Sequence, residues 1–333
     1  MATLKDIADK SGYSIATVSR VLSNDQSLSV TDQTRKKIYE IAAQLNYRRK
    51  IVRPEVKNIV FLYWLTDVEE LEDIYFKTMR KNIERIANDY HVNLSVLKVK
   101  EGIESVPQNT EGFIAVGSFL KAELEYLHTI TPNGVFLDAT PDPEYDSVRP
   151  DLVGTTKNAI KYLRELGHEK IGFIGGTYFN PDTKENEPDI REVTFREEMQ
   201  KNGLMDSDFI LTRRRFSIDT GFHLMKQIIE TRKKDMPTAF FVAADPIAIG
   251  VLQALNQYNI SVPERVSVVS INNISVTKYV SPPLTTFAVD IAELSRLAVE
   301  LLIERVLRNR HATKTIYLGT ELVERASAFP LNE

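Results

Sequence analysis

The chain contains no cysteine, which excludes disulfides, thiolate nucleophiles, iron–sulfur clusters and cysteine-bound zinc together. Histidine is scarce: the five, at positions 91, 128, 168, 223 and 311, fall at no metal-ligand spacing. No stretch offers the ~18 uninterrupted apolar residues that a membrane-spanning helix needs. The first residues run into a charged helical pattern with no apolar signal segment, so a cytoplasmic protein is expected. There is no Walker loop and no G-x-S-x-G element. Gly172-Phe173-Ile174-Gly175-Gly176 ends a strand-like run, but it lacks the dinucleotide fingerprint and its trailing acidic partner and reads as close packing. These absences argue against an enzyme, a cofactor or a metal site.

What is present is sharply divided. At 333 residues and 43% hydrophobic content the chain has about two domains' worth of globular sequence. Residues 1–57 carry eleven Lys/Arg against six Asp/Glu, a net of +5, whereas the whole chain is at −4, leaving −9 for the remainder. A basic segment on an acidic body suits a head that neutralises phosphates and releases their counterions.

Thr3 to Leu22, TLKDIADKSGYSIATVSRVL, predicts two short helices. Thr3 and Asp6 form a capping-box pair, Leu4, Ile7 and Ala8 make an inward stripe, and Gly12 supplies the left-handed turn that ends the first helix. Ser14 is placed to cap the second, in which Val18, Val21 and Leu22 face inward. Ile15, Ala16, Ser19 and Arg20 are then outward near its start, the end a recognition helix presents to base edges in the major groove. A third helix, from Thr31 to about Asn46, closes this head with Ile38, Ile41, Ala42 and Leu45.

TLKDIADKSGYSIATVSRVLSND, followed by SVTDQTRKKIYEIAAQLNY, resembles the DNA-binding headpiece of the LacI/GalR family of bacterial transcriptional regulators. The resemblance implies double-stranded operator DNA as a partner, with Leu4, Ser14, Ile15, Ala16, Thr17, Ser19, Arg20, Asn24, Arg48 and Arg49 as the DNA-facing set. Ile15 and Ala16 would give apolar readout and Arg20 a guanine contact. The linker Arg48 to Lys57, RRKIVRPEVK, departs from the family: the A-R-x-L core of a hinge helix is missing, and Pro54 disfavours helix at Arg53. Any hinge helix is expected to be short, shifted or absent, with Ile51 or Val52 a weak candidate for an intercalating side chain.

From Asn58 the periodicity becomes that of alternating strands and helices. Strand-like runs stand at 59–65, 94–99, 113–117, 135–138, 171–175, 239–244 and 266–271. Helical faces stand at 71–88, 154–166, 191–202, 219–233 and 246–258. This predicts an α/β core of two doubly wound subdomains, with a ligand held beyond the carboxyl ends of the strands. DSVRPDLVGTTKNAIKYLRELGHEKIGFIGG, VPERVSVVSINN, SPPLTTFAVD and ELVERAS resemble successive landmarks of the same family's regulatory core, itself similar to periplasmic sugar-binding proteins. By that resemblance residues 1–57 are head and linker. Subdomain one spans about 58–166 and 286–311, and subdomain two about 167–285 and 312–333. Ile291 to Arg310, with an apolar stripe at Leu294, Leu297, Ala298, Leu301 and Leu302, would return to the first subdomain.

The resemblance also places a small sugar effector in the cleft. Asp138 closes VFLD, Asn272 follows VVSI, Arg191 stands in DIREVTF, Phe216 would cover the ligand, and Asp245 ends FFVAAD either as a contact or as a helix cap. The alternative for Arg191 is a surface ion pair with Asp189 or Glu192. Asn272 stands where aspartate is commoner, which argues against a cationic ligand. Trp64 and Asp73 lie in a YW…ELED…YF segment that resembles the galactose and β-galactoside repressors of Gram-positive bacteria. In a strand, Trp64 can equally be core packing. The tail carries no leucine heptad, so a homodimer is expected rather than a coiled-coil tetramer. The expected function is a repressor whose operator affinity a sugar changes. The alternatives are a regulator answering to a nucleobase or sugar phosphate, and a sugar receptor without DNA function.

Overall fold

The computed structural model describes residues 3–22, 28, 30–45, 56, 58–66 and 74–331. The chain forms two compact units, Met1–Pro54 and Glu55–Glu333.

The head is built from α1 (Leu4–Ser11), α2 (Ile15–Leu22) and α3 (Asp32–Gln44). The Thr3 N–H donates to the Asp6 carboxylate at 2.7 Å and the Asp6 N–H to the Thr3 hydroxyl at 3.3 Å, completing the capping box. Gly12, at φ 76°, ends α1 with its N–H on the Ala8 carbonyl. A side chain there would force the strained left-handed region, so the tight turn into α2 depends on glycine. The Ser14 hydroxyl accepts the Thr17 N–H, and Thr31 does the same for Thr34 at the start of α3. Ile7, Ala8, Val18, Val21, Ile38, Ile41 and Ala42 pack between the three helices, as their spacing demands.

The second unit has two sheets among the described residues. The first, all parallel, joins β1 (Ile59–Trp64), β2 (Leu94–Lys98), β3 (Gly112–Gly117), β4 (Gly134–Leu137), β5 (Asp146–Pro150) and β12 (Thr315–Leu318) in the order β12-β5-β4-β3-β1-β2. The second runs β13-β11-β10-β9-β6-β7, with β8 also on β6. Its strands are β6 (Ile171–Phe179), β7 (Asn186–Pro188), β8 (Ile210–Arg214), β9 (Ala239–Val242), β10 (Ser267–Asn272), β11 (Thr285–Ala288) and β13 (Glu321–Val323). The helices are α4 (Ile74–Asp89), α5 (Lys121–Ile130), α6 (Leu152–Glu165), α7 (Ile190–Lys201), α8 (Ile218–Arg232), α9 (Asp245–Gln257) and α10 (Ile291–Arg308).

The central strands are buried on both faces, which is why they read as continuous apolar runs. In β1, Phe61 and Tyr63 join the core beneath α4, while Val60, Leu62 and Trp64 pack with Leu124 and Leu127 of α5. The chain passes between subdomains after Pro150, after Ala288 and after Leu318. The first crossing comes earlier than 166 because α6 packs on α7 and β9 of the second subdomain. The third comes later than 312 because Thr315–Leu318 pairs with Ser147–Pro150 and completes the first sheet. Two crossings touch: the Asp151 N–H donates to the Leu318 carbonyl at 2.8 Å, and the hydroxyls of Thr155 and Thr320 lie 2.8 Å apart.

His168, buried at the foot of the second sheet, holds the tail. Its Nδ1 meets the Thr238 hydroxyl at 2.9 Å and its Nε2 the Phe329 carbonyl at 3.2 Å, with Ser267 Oγ at 3.1 Å. A carbonyl can only accept, so the proton sits on Nε2. Burial holds this imidazole below its ordinary pKa, against the Phe329 bond. A depressed histidine favours the neutral folded form. Its contribution is therefore whole above the unfolded value near 6.5 and is lost as pH falls through the folded one. Urea midpoints should thus drop between pH 7.5 and 5.5 more in the parent chain than in H168Q. Equal drops would remove His168 from the account.

Candidate functional site

On the head, the start of α2 is the exposed surface. Ile15 is 48% exposed, Ser14, Ala16 and Arg20 are exposed, and Thr17 and Ser19 are half-buried. An isoleucine left half in water on a helix this short, which also exposes an arginine, fits contact with base edges. Leu4 is half-buried against the head's own core, so it has less surface to offer than the α2 residues. Asn24, Arg48, Arg49, the hinge segment and Asp73 lie outside the described residues.

In the core, the polar residues singled out from sequence converge at the carboxyl ends of the strands. Asp138 follows β4 at φ 65° and Asn272 ends β10 at φ 117°. Two non-glycine residues held at positive φ at strand ends are costly, and such conformations persist where surrounding structure fixes them. Around Asn272 the fixing groups are visible: the Arg325 guanidinium donates to Asn273 Oδ1 at 2.7 Å and to the Leu284 carbonyl at 2.6 Å.

Arg191 opens α7 and is 6% exposed. Its Nε and Nη2 donate to the two carboxylate oxygens of Asp189 at 2.6 and 2.7 Å, and its Nη1 donates to the Ala243 carbonyl at 2.6 Å. Asp189 also accepts the Arg191 N–H at 2.7 Å, capping the helix. The alternative weighed from sequence, an ion pair with Asp189, is present, and it is a buried fork rather than a surface contact. Phe216 lies across the guanidinium, 4.9 Å from ring centroid to Cζ, and 5.8 Å from the ring of Tyr178. Its ring rests on Gly176, where an added Cβ would come within 2.7 Å of it. The glycine of IGFIGG is there to seat this aromatic.

Tyr75, in the first turn of α4, donates its hydroxyl to Asp138 at 3.0 Å. Burial pushes the Asp138 carboxyl above its usual range, while that hydroxyl and then Arg191 pull it back. Tyr178 as a whole is 41% exposed, but its hydroxyl end is enclosed, and that enclosure, then the Asp189 carboxylate, raises the phenol. Burial works against the Arg191 cation, but Asp189, then Tyr178 and Asp138, outweigh it and hold the proton more firmly. The four groups form one electrostatic cluster spanning both subdomains. Tyr178 is not singled out by the sequence, Tyr75 enters there only within the YF pair, and Asp189 only as a possible ion-pair partner of Arg191. The signal for Asp189 was its position two before the arginine, and for Tyr178 the continuation of the β6 alternation past the glycines.

Two other selections find different places. Trp64 is 4% exposed, stacked on Phe119 at 5.3 Å and donating Nε1 to Glu123 at 3.0 Å. It is core packing, on the sheet face opposite Tyr63. Asp245 is neither a helix cap nor open to the cleft. Ala244 is the N-cap residue, and the fully buried carboxylate accepts the Ile274 N–H and the Thr286 hydroxyl, both at 2.8 Å. Asp245 therefore ties the loop after β10 to β11.

No cluster of three or more histidine and carboxylate side chains that could hold a metal occurs among the described residues, nor does a helix long and apolar enough to cross a membrane.

Residues 3–50 match the family described as bacterial regulatory proteins, lacI family, and residues 160–328 the periplasmic binding protein-like domain. The chain is 58% identical to the HTH-type transcriptional regulator GanR of Bacillus subtilis (strain 168), covering 98% of this chain and 99% of that one. It is 40% identical to LacR of Lactobacillus helveticus, over 99% of each. Among solved structures, the lac repressor dimer bound to operator and the anti-inducer ONPF superposes with a TM-score of 0.70 at 22% identity, over 98% of this chain and 99% of that one. The CelR–cellobiose complex superposes at 0.69 and 21%, over 98% and 100%.

Proposed function

Since the chain belongs to the LacI family of bacterial regulatory proteins, we propose that it represses genes for galactose or β-galactoside use as a homodimer, releasing its operator when a neutral sugar fills the cleft. It is a sequence-specific DNA-binding transcriptional regulator. The finer reading rests on one observation: Asp138 and the Asp189–Arg191 fork converge beside Phe216 and two phenols. Sugar hydroxyls need acceptors and donors in pairs, and the ring's apolar face needs an aromatic. Charge favours a neutral ligand. Asp189 already cancels Arg191, and Asp138 adds a negative group, so a phosphate or uronate would enter without a free cation from this cluster. Two heads on a two-fold symmetric operator require two copies of the chain. A sugar that prefers one arrangement of the subdomains shifts the operator-binding population only by that difference in affinity.

The test is fluorescence anisotropy on the palindrome upstream of the protein's own gene, across graded salt, with galactose, lactose and galactose 6-phosphate added in turn. Binding should weaken steeply with salt. One of the neutral sugars should release the DNA, and the phosphorylated one should not. Absence of DNA binding at every ionic strength, or release by the phosphate alone, would count against the reading.

Arg20→Ala should cost about 1–3 kcal/mol in operator affinity and relax preference at one base pair per half-site. Selection from random DNA reads this directly. An unchanged preference would take base readout away from Arg20.

A further inference from the structure

β6 runs on past its neighbour β9, which pairs only with Ile171–Ile174. Ile171 through Gly176 are buried, but Thr177, Tyr178 and Phe179 continue outward and pair antiparallel with Asn186–Pro188. The turn between them is fixed. The Asn180 N–H donates to the Glu185 carbonyl and the Lys184 N–H to the Asn180 carbonyl, both at 2.9 Å. Asn180 Oδ1 accepts the Asp182 and Thr183 N–H groups at 3.0 and 3.2 Å, and Asn180 Nδ2 donates to Glu187 at 2.6 Å. Side-chain bonds of this kind hold the tip in one shape.

That tip crosses to the other subdomain. Both oxygens of Asp182 accept the Lys121 backbone N–H, at 3.2 and 3.0 Å. Lys121 is the first residue of α5, whose N-cap residue, Leu120, offers no capping side chain. Glu123 accepts the Leu120 N–H at 2.8 Å and the Trp64 indole N–H at 3.0 Å, so it leaves the Lys121 donor to Asp182. A helix of the first subdomain thus takes its cap from the second, where the positive end of the helix dipole favours a carboxylate.

We propose that residues 177–188 form a closure strap, in which Asp182 docks on the start of α5 and holds the cleft in its closed arrangement. This rests on the reading of the cleft as the effector site. The base of the strap carries Tyr178 and runs directly into Asp189 and Arg191, so a ligand that orders the base steadies the tip, and a docked tip keeps those groups facing Asp138. By linkage, each raises the population in which the other is engaged.

The absence of cysteine permits a clean measurement. Spin labels on cysteines introduced at the exposed Lys81 of α4 and Gln227 of α8 report the distance between subdomains by pulsed electron spin resonance, with neither sugar nor DNA present. Asp182→Ala should lower the ratio of short to long distances about fivefold, the factor one helix cap is worth. Lys121→Pro removes the donor from the other side at a first helical position where proline is accepted, and Leu120 at φ −69° and ψ 149° already has the backbone a following proline requires. It should give the same shift, and the double variant no further one, as two halves of one contact must. Distributions that superpose on the parent in both variants, or shifts that add, would overturn the strap. Failure of the unaltered chain to bind its operator would instead overturn the functional reading and leave these distances as they are.

Discussion

Arg191→Ala should abolish the response to sugar and lower the unfolding free energy by about 3–5 kcal/mol, because it strands the Asp189 carboxylate in a site with no access to water. The two effects separate by design. In Asp189→Asn with Arg191→Met the buried charges leave together, the asparagine oxygen still accepts the helix N–H, and an aliphatic stem still lies under Phe216. That double variant should regain most of the stability yet remain unresponsive, since the planar guanidinium fork beneath Phe216 is gone and the amide introduced at position 189 sits at the helix start in its place. Urea unfolding and sugar-induced release of operator, measured on the same preparations, give the two readouts. If the double variant responds to sugar, Arg191 is a fold element and the ligand is held elsewhere. If the single variant loses under about 1 kcal/mol, the fork is not the buried charge pair that its distances imply.

The head was legible almost residue by residue, because capping boxes, glycine turns and helical stripes are local and need no knowledge of partners. Thr3, Gly12 and Ser14 each do what their neighbours in sequence imply. The strands that were legible, β1, β2, β3, β4, β6, β9 and β10, carry apolar runs, and all of them except the half-exposed β2 have a core buried on both faces. Those that were not owe their strand form to pairing. DSVRP carries an aspartate, an arginine and a proline, and ILTRR ends in two exposed cations. TIYL and ELV are edge pieces whose membership only the crossings decide. Asp138 and Asn272 can be picked out as strand ends, whereas Arg191 and Phe216 rest on the family resemblance alone. Trp64 and Asp245 were displaced because the direction a side chain takes, toward cleft or core, depends on which helix covers which face. The missed Tyr178 lies past Gly175 and Gly176, where the alternation of β6 continues but its buried apolar run has ended.

The polar strand β5 carries the second large effect. Asp146 is fully buried, and its carboxylate accepts the Arg305 guanidinium at 2.9 Å, the Arg310 guanidinium and the Lys314 N–H at 2.7 Å. It therefore fastens the end of α10 and the start of the edge strand β12 to β5, the next strand of the first sheet. Asp146→Ala should cost about 3–5 kcal/mol, since Arg305, 3% exposed, would keep its charge without a carboxylate partner, whereas Arg310 can still reach Glu304 at 2.9 Å. Adding Arg305→Met should return a large part of that loss by removing the stranded charge. The damage should also be local before it is global. β12 hangs on β5 and leads at once into the third crossing, so amide exchange at 315–318 should accelerate in Asp146→Asn under conditions where β3 and β4 stay protected. Uniform acceleration across the sheet would mean that Asp146 serves the core as a whole. A loss below about 1 kcal/mol in the alanine variant would mean that the two arginines find water more easily than their burial allows.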